Sequence, residues 1–370
     1  MNNMMSVLFA SGNEAKLNEL TLHRTTASLP FGGRYRLIDF TLSNLVNSGI
    51  TQIGIVTRSN YQSLMDHIRQ GRDWDLNRKN GGISVFPPFV YNSSKEAYKG
   101  KIEAIYSIFN FLNHAEEDYV VLSNCNVAAN IDFEDIYNFH IEKGAAITVV
   151  SHKGYTTSSQ RIVLEKAADG KITDVYETEY VGTEEKLISG NIYIIEKDLL
   201  KDLVQKAYAH GLVDFEKDIL FKLVAEGKAY TYELTGYAAI IDDVKTYYAE
   251  SMNLLNYETR EALFGQEGKI YTKVKDSVPT VYGEGAVVKN SLLADGCVIN
   301  GTVENSILFR NVRIEKGAVV KNSIVMENGV VGKDSSVSYA ITDKDVEVSE
   351  GRTISGFSTY PIVIVKGKKV

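Results

Sequence analysis

Cysteine is nearly absent from this chain: Cys125 and Cys297 are its only two, they lie far apart, and neither belongs to a paired-cysteine motif. That excludes a disulfide framework and fits a reducing compartment, where small thiols pack as apolar residues. Long apolar runs are missing too, since nothing approaches the ~20 residues a membrane-spanning helix needs. Residues 1–10 carry only the short run Val7-Leu8-Phe9-Ala10, with no basic start and no small-residue cleavage pattern, so they read as a first strand. There is no basic run either: 47 acidic against 40 basic residues give a net charge of −7. Nucleic acid is therefore not an expected partner. Histidine stops early, because His23, His67, His114, His140, His152 and His210 are all six. These absences lead to the expectation of a soluble, cytoplasmic protein with no nucleic-acid and no membrane partner.

At 370 residues the chain is longer than one core usually supports, so two domains are expected. Up to about Leu255, short apolar runs at 7–10, 53–57, 119–123 and 146–151 alternate with helical patterns over 39–48 and 61–70. This alternation predicts an α/β domain built on a mainly parallel sheet. Apolar residues fall near every third or fourth position across 40–47, and Ser48-Gly49 supplies a helix stop.

Beyond about Ala262 helical periodicity disappears. Val288-Lys-Asn-Ser-Leu-Leu returns as Val303-Glu-Asn-Ser-Ile-Leu, Val320-Lys-Asn-Ser-Ile-Val and Val337-Ser-Tyr-Ala-Ile-Thr, at offsets of 15, 17 and 17 residues. Apolar residues also recur every six at Val281, Val287, Leu293 and Ile299, and again at Leu308, Ile314, Val320 and Met326. A six-residue period grouped in threes predicts a hexapeptide β-helix, each periodic aliphatic pointing into a triangular coil. The expected division is residues 1–255, a linker over 256–275, and a solenoid over 276–370. Some hexapeptide coils are acyltransferases, but that chemistry needs a histidine beside the coil, and none follows His210.

Pro30-Phe-Gly-Gly-Arg-Tyr-Arg-Leu-Ile-Asp-Phe-Thr-Leu-Ser-Asn-Leu-Val-Asn-Ser-Gly-Ile50 resembles the strongest signature of the glucose-1-phosphate adenylyltransferase (ADP-glucose pyrophosphorylase) family. Supporting stretches follow in order: Trp74 to Pro88, Tyr98-Lys-Gly-Lys-Ile-Glu-Ala-Ile-Tyr106, Asp214-Phe-Glu-Lys-Asp-Ile219, Gly236-Tyr237, and Tyr247 through Leu255. The resemblance implies a Rossmann-like (GT-A-like) nucleotidyltransferase domain followed by a left-handed hexapeptide β-helix. It also implies the family's reaction, in which a glucose 1-phosphate oxygen attacks the α-phosphorus of ATP and releases pyrophosphate. Such chemistry rests on positioning and on neutralising charge, so absent charges and metal ligands matter.

Several are absent. Under the family's loop Gly-Gly-x-Gly-Thr-Arg-Leu stand Ser11, Gly12, Asn13, Glu14, Ala15 and Lys16, which keep only Gly12 and a basic residue. Glycines there let backbone N–H groups approach phosphate closely. Glu14 instead brings a carboxylate, and like charges about 4 Å apart at an effective dielectric near 20 repel by roughly 4 kcal/mol. The alternative is that Glu14 swings out to solvent. Where the family has a phosphate-binding lysine, Thr26 follows a retained Arg24. At the Mg²⁺ aspartate stands Cys125, or Asn124 if the alignment slips by one; at the second metal aspartate stands Ile240, unless Asp242 or Asp243 substitutes by a shift. Thr178 replaces a lysine on the sugar-phosphate side. Ser189 matches a family serine, followed by Gly190-Asn191, and Gly100-Lys101-Ile102-Glu103 replaces Gly-Thr-Ala-Asp.

By this resemblance no catalytic residue and no metal ligand survive, Glu14, Cys125 and Ile240 marking the degenerate positions. Gly12, Lys16, Arg24, Arg36, Gly100, Glu103 and Ser189 remain as residual ligand-binding candidates, the alternative for Arg36 being a pairing with a structural carboxylate. The pattern resembles the family's non-catalytic regulatory subunit in bacterial glycogen biosynthesis. The implied partner is a catalytic subunit in a heterotetramer, with Mg²⁺ held only there and no cofactor here. A small-molecule effector is a further implied ligand, although His23 stands where some members have an activator-binding lysine. Two alternatives stay open: a weakly active nucleotidyltransferase using Asp242, Asp243 and Glu103 as shifted metal ligands, or an allosteric module holding a nucleotide or sugar phosphate.

Overall fold

A computed structural model describes residues 3–12, 14–88, 98–155, 157, 159–265 and 268–370. Asn13 of the opening loop lies outside the described residues.

One sheet organises the N-terminal part. Its strands are β1 (Met4–Phe9), β2 (Gln52–Val56), β3 (Gly82–Phe86), β4 (Tyr119–Asn124), β5 (Ile147–Tyr155), β6 (Arg161–Lys166), β7 (Ile172–Thr178), β8 (Glu185–Glu196) and β9 (Ala229–Glu233). The order is β7-β6-β8-β4-β1-β2-β3, with β5 pairing both β8 and β9. Strands β4, β1, β2 and β3 run parallel, as the alternating pattern predicts. Strand β8 is antiparallel to β4, β5 and β6. Every residue of β1 is buried, as expected of a central parallel strand covered on both faces.

Helix α1 (Leu37–Asn47) starts two residues before the expected position. Asp39 causes this, since its Oδ2 accepts the Arg36 N–H at 2.9 Å and closes a capping interaction over the first turn. Gly49, at φ 75°, ends the helix as read from Ser48-Gly49. Among the described residues no helix is long and apolar enough to cross a membrane.

The C-terminal part is a three-sided coil of parallel strands, five to each side. Its repeated Asn-Ser has a physical cause. Asn290, Asn305 and Asn322 sit at corners with φ of 41°, 45° and 46°, a left-handed conformation that asparagine tolerates. The serine hydroxyls link coils, Ser291 Oγ accepting from Ser306 N and Ser306 Oγ from Ser323 N, both at 3.1 Å.

The six-residue register is corrected at its start. Tyr282 pairs with the inward Ile299 and Val288 with the inward Val303, so Val281 and Val287 point outward in the first coil. Coils of unequal length shift the phase at corners, which a strict period of six ignores. Met326 also leaves the coil interior, packing into the seam with the N-terminal domain.

That seam is apolar and continuous. Phe31, Leu37, Phe40, Tyr247 and Leu254 from one side meet Ile307, Phe309, Ile324 and Ile341 from the other. The Pro30–Phe31 strand and its hairpin partner Tyr35–Arg36 sit here, and at Gly33, φ 81°, a Cβ would stand 3.8 Å from Ala294 and from the Leu308 carbonyl. Tyr247 donates to the Pro30 carbonyl at 2.7 Å and Tyr248 to the Asn322 carbonyl at 2.6 Å. Arg24 Nη2 reaches both Asp343 oxygens, at 2.8 and 3.0 Å, with the two side chains only 3% and 2% exposed.

Removing one partner of so buried a pair strands the other charge. Asp343→Ala is expected to lose about 3–5 kcal/mol in urea denaturation, whereas the apolar double replacement Arg24→Met/Asp343→Leu loses much less. A single substitution within about 1 kcal/mol of the wild type would contradict the assignment.

Candidate functional site

Ligands of parallel α/β sheets bind at the carboxyl ends of the strands, and β1 and β4 here point that end at the degenerate loop. Glu14 opens a short helical turn, Glu14–Leu17, and folds back onto its own loop in place of swinging out to solvent. Its Oε1 accepts the Gly12 N–H at 2.9 Å and the Thr26 hydroxyl at 3.3 Å, while that hydroxyl also hydrogen-bonds the Gly12 carbonyl. The loop's own carboxylate thus takes the backbone donor that a phosphate would need. Thr26, where a lysine was missed, is buried and ties this knot.

The metal positions do not fit Mg²⁺. Cys125 is 2% exposed in the apolar core beneath the sheet, and burial pushes its thiol up to about 12. Ile240 packs in the same core, on a short strand (Ala238–Ile240) paired with Val127–Ala129. Asn124 Oδ1 is buried with no hydrogen-bond partner among the described residues, but one neutral amide oxygen does not replace the hard anionic ligands Mg²⁺ prefers.

The shifted carboxylates are engaged elsewhere. Asp242 Oδ2 receives Arg161 Nε at 2.9 Å and Oδ1 receives Asn126 Nδ2 at 3.0 Å; burial raises its carboxyl despite the guanidinium. Asp243 caps helix α2 (Val244–Asn253) through Thr246 N at 2.7 Å and accepts the Ser159 hydroxyl at 2.9 Å. Asp243 is thus a helix-start carboxylate and not a shifted metal ligand. Glu103 accepts the Lys99 N–H at 2.7 Å. Among the described residues no three His, Cys, Asp or Glu side chains converge as a metal site.

The residual candidates divide. Gly12 lies in the knotted loop, and Lys16 meets Glu179 at 3.5 Å. Gly100 faces the Val213 carbonyl, which leaves no room for a Cβ, so its smallness serves packing. Ser189 is buried in a β-bulge and accepts the Asn191 N–H at 3.1 Å. Arg24 belongs to the domain seam. Arg36 donates to the Ser63 carbonyl and hydroxyl at 2.6 and 2.9 Å, in place of the direct carboxylate pairing expected.

Arg36 also lines a cavity of about 80 Å³ where the two domains meet. Arg34, Lys273, Lys275, Arg310 and Lys344 join it there, against the carboxylates of Asp66 and Glu327. Burial would raise Glu327, but Lys344 and Lys275 outweigh it and hold its carboxyl down at about 2. Burial lowers the Lys344 ammonium to about 8, with Arg36 and Arg24 adding to the effect against Glu327. The buried Nε of Arg310 finds no hydrogen-bond partner among the described residues.

One pair was missed in the sequence. Lys101 and Glu216, 115 residues apart, form an ion pair whose ammonium lies 5.5 Å from the Phe9 ring centroid and 5.7 Å from that of Tyr193. A new cation in the stretch where the family has a neutral threonine was the available signal.

Fold and site together define a nucleotidyl transferase domain joined to a hexapeptide solenoid. The nucleotidyl transferase family matches residues 5–249, and the GlmU-like C-terminal hexapeptide family matches residues 277–358. Glycogen biosynthesis protein GlgD of Bacillus subtilis (strain 168) is 36% identical over 370 residues, covering 99% of this chain and 96% of that protein. Glucose-1-phosphate adenylyltransferases of Bacillus thuringiensis (strain Al Hakam) and Bacillus mycoides (strain KBAB4) are each 33% identical over 356 residues, covering 95% of this chain and 94% of each. The chain belongs to the glucose-1-phosphate adenylyltransferase family.

Both thiols should be inert in the native protein, since Cys125 is 2% exposed and Cys297 fully buried. A thiol-specific disulfide reagent at pH 8 is expected to label neither before unfolding and both after it. Rapid stoichiometric labelling of native Cys125 would contradict its placement in the core.

Proposed function

We propose that this chain is a regulatory subunit of glucose-1-phosphate adenylyltransferase in glycogen biosynthesis, without turnover of its own, acting on a catalytic relative in a heterotetramer. One observation carries the reading: Cys125 and Ile240, at the two positions where the reaction needs metal carboxylates, are buried in apolar core. Holding Mg²⁺ at a phosphoryl centre supplies several kcal/mol of charge stabilisation, and neither side chain offers it. The 36% identity to a protein named for glycogen biosynthesis supports the pathway.

The solenoid supports assembly. Its first coil ends three sheets with strand edges unpaired among the described residues, and Val281, Tyr282 and Val287 there are 56%, 57% and 38% exposed. Open edges and apolar exposure of this kind favour a partner surface. The cationic cavity at the domain junction supports an anionic effector, because six basic side chains line it beside Asp66 and Glu327, with Asp295 reaching Arg34 and Arg310 at 3.6 and 3.9 Å.

Mixing the purified chain with a catalytic adenylyltransferase chain is expected to raise that chain's turnover or lower its half-saturating substrate concentration. Unchanged kinetics on mixing would sink the proposal. Effector binding has a pH signature: Lys344, lowered to about 8, is charged below that pH and neutral above it. Affinity for a sugar bisphosphate, followed by calorimetry, should hold at pH 6–7 and fall as pH rises past about 8. A flat profile to pH 9.5 would remove Lys344 from the site.

A further inference from the structure

A nucleotidyltransferase cleft stripped of its metal ligands still holds N–H donors and cations that call for anions. In this chain its own carboxylates supply them. Glu14 Oε1 takes the Gly12 N–H at 2.9 Å in the phosphate loop. On the sugar side, beside Ser189, Glu216 pairs with Lys101 and also accepts the Tyr193 hydroxyl at 3.2 Å. The Lys101 and Glu216 side chains are only 20% and 13% exposed, so the pair is largely withdrawn from solvent. Phe9, at the carboxyl end of β1, and Tyr193 flank the ammonium with their rings, an arrangement that stabilises a cation held out of water. At the rim Glu179 meets Lys16 at 3.5 Å and Glu177 meets Lys217 at 2.8 Å.

We propose that the cleft is self-liganded: Glu14 and Glu216 hold the anion positions of the phosphate loop and the sugar side, keeping the chain in one filled state whether or not nucleotide is present. The inference rests on the regulatory reading and deepens it. A subunit whose cleft is permanently occupied by its own side chains presents its neighbour with a conformation independent of substrate. Two linked features make this more than loss. Deleting lysines and glycines would weaken binding alone, but Glu14 adds an acceptor aimed at the Gly12 donor that remains, and Lys101 and Glu216 add a cation together with its own anion. The electrostatic sense is consistent, since each carboxylate both satisfies a donor and repels an incoming phosphate.

Calorimetric titration of the full chain with inorganic pyrophosphate and with ATP tests it. With the domain-junction cavity disabled by Lys344→Gln in every protein titrated, the parent with Glu14 and Glu216 intact is expected to give no saturable heat. Glu14→Gly/Glu216→Gln, which frees the Gly12 N–H and the Lys101 ammonium, should gain saturable binding of at least tenfold higher affinity. Glu14→Gly alone, which removes only the contacts to Gly12 and Thr26, should gain part of it and serves if the double variant does not fold. Saturable binding by the parent as tight as the variant's, or folded variants that gain nothing, would overturn the proposal. These titrations need no partner, so their outcome is separate from the kinetics on mixing, whose failure would instead remove the regulatory reading.

Discussion

The buried Arg24–Asp343 pair fixes much of what this protein can do. Arg24 sits in the N-terminal domain two residues from Thr26, and Asp343 lies in the penultimate coil of the solenoid, so a bidentate contact between them joins the loop region to the far domain. A pair this dry is stable only because its geometry is complete, Arg24 donating also to the Leu20 carbonyl at 3.2 Å. It removes a basic group from the cleft and gives it to the seam. Around it the aromatic and aliphatic side chains of both domains form one apolar layer. A change on either side of this seam is therefore felt on the other, which is the physical requirement for a subunit that works by contact.

The cleft follows the same logic at smaller scale. Charges that a substrate would satisfy are satisfied internally, by Glu14 at the loop and Glu216 at Lys101, while Asp242 is held by Arg161 and Asp243 by a helix cap. Catalysis needs charge left unpaired and aimed at a reacting phosphate. Here the residues near the strand ends are paired with one another. The unbalanced positive charge lies instead at the domain junction, around Arg36, Arg310 and Lys344.

Much of this was legible in the sequence because it depends on local rules. Alternating apolar runs place the central strands, the Asn-Ser repeat marks the solenoid corners, and Cys125 and Ile240 are by residue type alone no carboxylates at the positions where the resemblance implies them. What was not legible depends on contacts distant in sequence. Nothing near Arg24 says that its partner is Asp343, 319 residues away. The fate of Glu14 depended on Thr26 and Gly12 closing the loop around it, and the outward Val281 and Val287 depended on corner lengths that a fixed period cannot carry. Lys101 was visible as an oddity, but its meaning needed Glu216.

The central claim is that this chain has no nucleotidyl transfer of its own. Isotope exchange between labelled pyrophosphate and ATP, measured on the isolated chain with Mg²⁺ and ADP-glucose or glucose 1-phosphate present, tests it most directly. The account predicts exchange no faster than in the protein-free blank. Exchange that depends on the sugar phosphate and scales with chain concentration would contradict it.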